Sequence, residues 1–158
     1  MGELFNLNSP ATAIPEATLG TQLKQKFQQF AEHIAIIEND IATSYADLDQ
    51  ESNTIAQQLQ QKVPHAKRVA IRGHRGKKEI VAIIAAIKAG MTFVPFDKKH
   101  PFERLAYILR DACVDILIDI KEDIEIHKVK KSTSQSDCTY YDSEQYIVYT
   151  SGSTGTPK

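Results

Sequence analysis

Residues 146–158 read Tyr-Ile-Val-Tyr-Thr-Ser-Gly-Ser-Thr-Gly-Thr-Pro-Lys, so five hydroxyls, two glycines and a lysine follow directly on a short apolar run. Gly152 and Gly155 permit positive φ and close backbone approach, which lets successive amide N–H groups converge on one oxyanion. Thr150, Ser151, Ser153, Thr154 and Thr156 add hydroxyl donors, and Lys158 adds a positive point charge. Each hydrogen bond to a charged phosphate contributes about 1.5–3 kcal/mol, so a few of them hold a nucleotide tail. The same composition also describes a solvated Ser/Thr/Gly tail. A Walker loop is not present, because that motif needs glycine immediately before the lysine, and Pro157 stands there.

A loop of this kind needs a strand to present it. The β-branched and aromatic residues 146–149 predict a buried strand that the small residues behind them cannot continue. Upstream, strand and helix patterns alternate. Leu19, Leu23, Phe27, Phe30, Ala31 and Ile34 form a helical stripe with Thr18 placed to cap it. Residues 35–37 and 41–43 read as strands joined by a tight turn at Asn39-Asp40. Ser44 and Asp47 have the form of a capping box, with Leu48, Ile55, Ala56 and Leu59 as one apolar face behind it.

A strand at 69–71 leads through a basic loop, 72–78, into a helix at 79–89, with Gly90 as its left-handed cap. That loop has only Gly73 and Gly76, which disfavours the Gly-x-Gly-x-x-Gly dinucleotide fingerprint. Its cations are either a solvated face or a phosphate-attracting patch. The next strand is expected to stop at Pro95, and Pro101 to open a helix at its first position with Phe102, Leu105, Ile108, Leu109 and Ala112 buried. Residues 115–120 read as a strand, and 121–145 as a loop or weak edge elements. Such alternation marks an α/β fold, a sheet with helices on its faces.

Composition narrows the function classes. A formal net charge of −1 argues against a dedicated nucleic-acid binder. The longest apolar run, 80–87, is far short of the roughly 20 residues that span a bilayer, and the first residues lack the pattern of a signal peptide. The expectation is a cytoplasmic protein without a membrane anchor. Cys113 and Cys138 show no metal or redox spacing and are expected to stay reduced in that compartment. The five histidines are scattered without ligand spacing, so no metal site is expected.

Residues 149–158 resemble the phosphate-binding signature of adenylate-forming, AMP-binding enzymes, Tyr-Thr-Ser-Gly-(Ser or Thr)-Thr-Gly-x-Pro-Lys, at every fixed position. Residues 87–97, Ile-Lys-Ala-Gly-Met-Thr-Phe-Val-Pro-Phe-Asp, followed by Pro101-Phe102-Glu103-Arg104-Leu105, are similar to the second core motif of the adenylation domains of nonribosomal peptide synthetases. Lys98 and Lys99 depart from the Pro usual after that Asp. Residues 43–48 resemble the first core motif, with Asp47 in place of Glu.

The resemblance implies residues 1–18 as a linker or N-terminal arm and 19–158 as a partial adenylation domain. The implied fold is the three-layer sheet-and-helix part of the large N-terminal subdomain, incomplete. The implied activity is activation of an amino acid by ATP with Mg2+ to an aminoacyl adenylate, then transfer to a carrier-protein phosphopantetheine thiol. Thr150, Ser151, Gly152, Ser153, Thr154, Gly155 and Lys158 would cradle the β- and γ-phosphates. Two alternatives stay open: a non-catalytic interaction or assembly piece, and another acyl-adenylating, acyl-CoA-synthetase-like ligase. The family's motifs for adenine, ribose and the amino-acid pocket are expected beyond this stretch, as is the lysine that stabilises the transition state. The isolated chain is therefore expected to bind ATP weakly and to show no amino-acid-dependent ATP/pyrophosphate exchange, and robust exchange by the purified chain overturns that expectation.

Overall fold

The computed structural model describes residues 18–130, 138–141 and 144–150. Helix α1 (Leu19–Gln29) starts where Thr18 Oγ1 accepts the Thr21 N–H at 3.3 Å. Strands β1 (Ile34–Glu38) and β2 (Ile41–Ser44) form an antiparallel hairpin. Its two-residue turn places Asn39 at φ 51° and Asp40 at φ 63°. Both lie in the left-handed region that these two residue types tolerate and that matches strand twist.

Helix α2 (Tyr45–Lys62) opens on the capping box expected from its sequence. Ser44 Oγ accepts the Asp47 N–H at 3.1 Å, and the Asp47 carboxylate accepts the Ser44 N–H at 3.2 Å. The Ser44 hydroxyl and amide hold the Asp47 carboxyl below its usual range, so the cap favours the ionised form and is lost as pH falls through that value.

A second sheet carries the rest. Strand β3 (Arg68–Gly73) is followed by α3 (Lys77–Lys88), β4 (Thr92–Asp97), α4 (Phe102–Asp111), β5 (Ile116–Ile120) and β6 (Ile124–Lys128). The strand order is β4-β3-β5-β6, parallel except for the antiparallel β5–β6 pair. Helices α2 and α3 cover one face, packing Leu59, Ala82, Ala85 and Ala86 onto Val69, Ile71, Ile116 and Ile118. Helix α4 covers the other with Leu105, Ile108 and Ala112 against Ala70, Val94 and Phe96. Three layers result, as the strand–helix alternation predicts. No helix among the described residues is long and apolar enough to cross a membrane.

Several expectations are corrected. Pro95 lies inside β4 instead of ending it. Pro101 is the N-cap of α4, and Phe102 is exposed because it precedes the turn that reaches the sheet. Of the two alternatives for 121–145, residues 124–128 take the edge element, a strand whose two inward isoleucines, Ile124 and Ile126, are interleaved with charge. Cys113 and Cys138 form a disulfide rather than two thiols, with Cα atoms 6.0 Å apart. Cys113 sits at φ 49° just past α4 and meets a segment 25 residues on, a pairing that local spacing cannot reveal. The expected arm, residues 1–18, lies outside the described residues except for Thr18.

Leu59 is fully buried between α2 and the sheet. Leu59→Ala is expected to cost about 2–5 kcal/mol in chemical denaturation. Ile37→Ser, at a side chain 68% exposed, stays within about 0.5 kcal/mol of the parent.

Candidate functional site

The stretch expected to deliver the phosphate-binding loop lies along the outer edge of β4. Tyr146 bridges Phe93 in the parallel sense. The Phe93 N–H donates to Gln145 O at 3.1 Å, and the Ile147 N–H donates to Phe93 O at 3.0 Å. Phe93 thus turns both its backbone groups outward. Two residues on, Pro95 has no N–H to offer in the same direction, so the outer ladder stops after one bridge while β4 continues to pair with β3 on its inner side.

Residues 146–149 are not the fully buried strand that their composition predicts. Ile147 and Tyr149 pack against the α4 face of the sheet, whereas Tyr146 and Val148 are exposed on the other side. The Tyr149 hydroxyl donates to Asp111 Oδ2 at 2.5 Å. Burial, then this hydrogen bond and the Asp111 charge, push the Tyr149 phenol far above its usual value. The neutral, donating form is the one the fold keeps.

Because this stretch runs parallel to β4, Thr150 emerges at the carboxyl end of the sheet, where β4 finishes at Asp97. Thr150 is exposed there. Of the predicted cradle, Ser151, Gly152, Ser153, Thr154, Gly155 and Lys158 lie outside the described residues. The chain's crossovers diverge at the same end. From β3 one connection runs through α3 to β4 on one side, and the next runs through α4 to β5 on the other. Ligands of open α/β sheets bind at such a point.

The basic loop, 72–78, is at this end too, but most of its charge is committed internally. Arg72 Nε donates to Asp119 at 3.1 Å, Lys77 pairs with Glu51 at 2.7 Å, and Lys78 lies 3.8 Å from Asp123. The N-terminus of α3 already holds an anion, since the Lys77 N–H donates to Glu38 Oε1 at 3.0 Å. A Cβ on Gly76 would stand 2.5 Å from that same oxygen, so a side chain there would dislodge the carboxylate. Asp97 stiffens the neighbouring turn by accepting the Lys99 N–H at 2.8 Å. That bond, followed by the charges of Lys99, His100 and His74, holds the Asp97 carboxyl below its usual range.

The opposite, amino end of the sheet is tied together by a buried arginine that local patterns did not single out. Arg68 donates through Nε and Nη2 to the two carboxylate oxygens of Glu144 at 2.7 and 2.8 Å. It also donates to Ala112 O at 3.1 Å and Thr139 O at 2.7 Å, and lies over the Tyr140 ring. The Thr92 hydroxyl donates to Glu144 O at 2.9 Å. A groove of about 800 Å³ opens at this end beside Thr18, Lys24, Asn53, Met91 and Gln145. It lies at the other end of the sheet from Thr150, and its Lys88 ammonium is already bound to Asp49, Ser52 and Asn53. Among the described residues no cluster of three or more His, Cys, Asp or Glu could hold a metal ion.

The AMP-binding enzyme family model matches residues 23–145. Tyrocidine synthase 2 of Brevibacillus parabrevis is 31% identical over 98% of this chain and 5% of its own length. Gramicidin S synthase 2 of Brevibacillus brevis is 31% identical over 98% of the chain and 4% of its own length. Bacitracin synthase 3 of Bacillus licheniformis is 30% identical over 98% of the chain and 3% of its own. The chain therefore spans a small fraction of the curated relatives it matches. Among solved structures, the Klebsiella oxytoca NpsA N-terminal subdomain superposes with a TM-score of 0.71 at 24% identity, over 89% of this chain and 40% of that one. The nonribosomal peptide synthetase FmoA3, in an α-methyl-L-serine-AMP bound form, gives 0.73 at 18% identity, over 90% and 18%. These likenesses establish that the chain shares its fold with part of the NpsA N-terminal subdomain and part of FmoA3.

Tyr149 is expected to remain un-ionised at about pH 11, above the ordinary tyrosine value near 10. A difference titration at about 295 nm, where phenolate absorbs, between the parent and Tyr149→Phe should show no ionisation of this residue there. Its folded pKa is raised, so its contribution to stability is complete below the unfolded value and fades as pH rises beyond it. A phenolate signal from Tyr149 at about pH 10 contradicts the Asp111 pairing.

Proposed function

The chain belongs to the AMP-binding enzyme family, and on that premise we propose that it supplies the phosphate-binding part of an adenylation domain that activates an amino acid with ATP for nonribosomal peptide synthesis. The observation that carries this reading is the parallel placement of residues 144–150 beside β4, which brings Thr150 out at the carboxyl end of the sheet. The relatives' names, all synthases of peptides, favour an amino acid over a fatty acid as substrate.

In the proposed reaction an amino-acid carboxylate oxygen attacks the α-phosphorus of ATP. A carboxylic–phosphoric anhydride forms as the bond to the bridging oxygen breaks and pyrophosphate leaves. A carrier-protein phosphopantetheine thiol then takes the aminoacyl group and releases AMP. The residues of this chain act on the leaving side. The hydroxyls of Thr150, Ser151, Ser153 and Thr154 and the amides around Gly152 and Gly155 would bind the β- and γ-oxygens, with the Lys158 ammonium opposing the charge that pyrophosphate gains. Mg2+, which accompanies ATP in this family, adds to that neutralisation when bound. Residues 19–158 would then form part of the adenylation domain, with 1–18 as the segment leading into it.

The competing site for a phosphate ester, the 72–78 loop, shares this end of the sheet, but Glu38 already occupies the α3 N-terminus and Arg72, Lys77 and Lys78 are paired internally. Amide NMR of the chain titrated with ATP to millimolar levels separates the two. Shifts are expected at Thr150 and the residues after it, with Lys158→Ala weakening binding about tenfold, the loss of one charge-assisted contact. Shifts centred on Lys77 and Lys78, or an unaltered affinity in Lys158→Ala, refute the reading.

A further inference from the structure

Arg68 makes two kinds of contact at once. Its backbone belongs to β3, the strand in the middle of the sheet, where its N–H and that of Lys67 donate to Asp115 at 3.0 and 2.7 Å. Its guanidinium leaves the sheet and grips the returning chain by a two-pronged bond to Glu144 and a bond to Thr139 O. Neither side chain of the pair is more than 14% exposed. The grip ends where the outer pairing begins: Glu144 O accepts from Thr92, and Gln145 O accepts the Phe93 N–H. Arg68 therefore sets where residues 144–150 start along β4, and so how far beyond the sheet Thr150 projects.

A covalent link reinforces the same segment. The Cys113–Cys138 disulfide joins the end of α4 to the residue immediately before Thr139, whose carbonyl Arg68 holds. Lysine is no substitute for Arg68 here, because it offers one point charge where Glu144, Thr139 and Ala112 need a planar fork. The outer ladder is short, ended by Pro95, so these two attachments supply registration that a longer strand pairing would otherwise give.

We propose that Arg68 is the positioning residue for the 144–150 strand and its phosphate-contacting end, acting through Glu144, and that the Cys113–Cys138 disulfide is a second, reducible tether on the same segment. The proposal rests on the ATP-phosphate reading above. Reduction by a dithiol breaks the Sγ–Sγ bond: two electrons and two protons pass to the cysteine sulfurs while the dithiol closes to a cyclic disulfide. The phosphate-binding strand thereby has a registration that depends on redox state.

Amide hydrogen exchange on the chain tests this, with Phe93 and Ile147 reporting the outer ladder and Ala70 and Ile118 reporting the central one. Adding a dithiol to the parent, or making Cys138→Ser, Glu144→Gln or Arg68→Met, is expected to speed exchange at Phe93 and Ile147 about tenfold or more with the central amides within about twofold. Arg68→Lys should fall between Arg68→Met and the parent. Affinity for inorganic tripolyphosphate, read from the Thr150 amide shift, should drop in the same order. Equal acceleration at all four amides, or none, overturns the proposal; the dithiol arm decides the tether, and Glu144→Gln, which keeps Arg68, decides the positioning role even where Arg68→Met does not fold. Selective acceleration with unchanged tripolyphosphate affinity overturns the positioning role while leaving the phosphate reading intact. Failure of the oxidised parent to bind either tripolyphosphate or ATP defeats the reading itself, and the positioning role with it.

Discussion

Burial of β3 on both faces is the constraint on which this structure turns. Val69, Ala70 and Ile71 are completely inaccessible, so each face of the strand needs a helical layer, and the chain must cross the sheet to provide both. It does so by sending α3 to one face and α4 to the other. That crossing makes β4 and β5 flank β3 from opposite sides, and it creates the point of divergence at the carboxyl end. Gly73 closes the strand where a Cβ would meet Ile120 Cδ1 at 3.0 Å, so the backbone there stays close to β5. The divergence at the carboxyl end, where the proposed site lies, is thus a by-product of covering an apolar strand twice.

The two ends of the sheet are finished differently. At the amino end polar groups are saturated: Asp115 takes two backbone N–H groups, Arg68 spreads over Glu144, Thr139 and Ala112, and a disulfide lies alongside. Removing one partner of such a buried pair leaves the other's charge without compensation, at a cost of about 3–5 kcal/mol. At the carboxyl end the ion pairs are mostly more exposed; Lys78–Asp123 is 3.8 Å long with the Asp side chain 97% exposed, and a pair of that kind contributes little. Stability is concentrated where no ligand is expected, which leaves the other end free to rearrange around one.

Local signals in the sequence were sufficient for the elements whose causes are local. The Ser44–Asp47 box, the Asn39-Asp40 turn and Gly90 at φ 71° each follow from the chemistry of one or two neighbouring residues. What was not legible depended on partners distant in the chain. Arg68 and Glu144 are 76 residues apart, and each taken alone is an ordinary surface-type residue. The cysteines carry no short motif. Tyr146 and Val148 have the composition of a buried strand, yet at the outer edge of β4 only the opposite face, with Ile147 and Tyr149, is covered, a consequence visible only once the two segments are side by side. The proposed phosphate cradle rests on its order of glycines and hydroxyls alone, since of its residues only Thr150 falls within the described part of the chain.

Glu38 explains why, in the proposed reading, the cradle must carry the binding alone. A helix that begins after a strand at the carboxyl end of a parallel sheet is an anion site by default, because its first N–H groups are unpaired and its dipole is positive there. Here the hairpin reaches over and fills that site with its own carboxylate on the Lys77 N–H, and Gly76 is small enough to admit it. An incoming phosphate would have to displace a tethered anion of like charge, which it gains nothing by doing. The first strand–helix connection is therefore committed to structure, fastening the β1–β2 hairpin to the main sheet. The oxyanion role that such a connection usually takes is left to the chain emerging beside β4, at the far edge of the same sheet end.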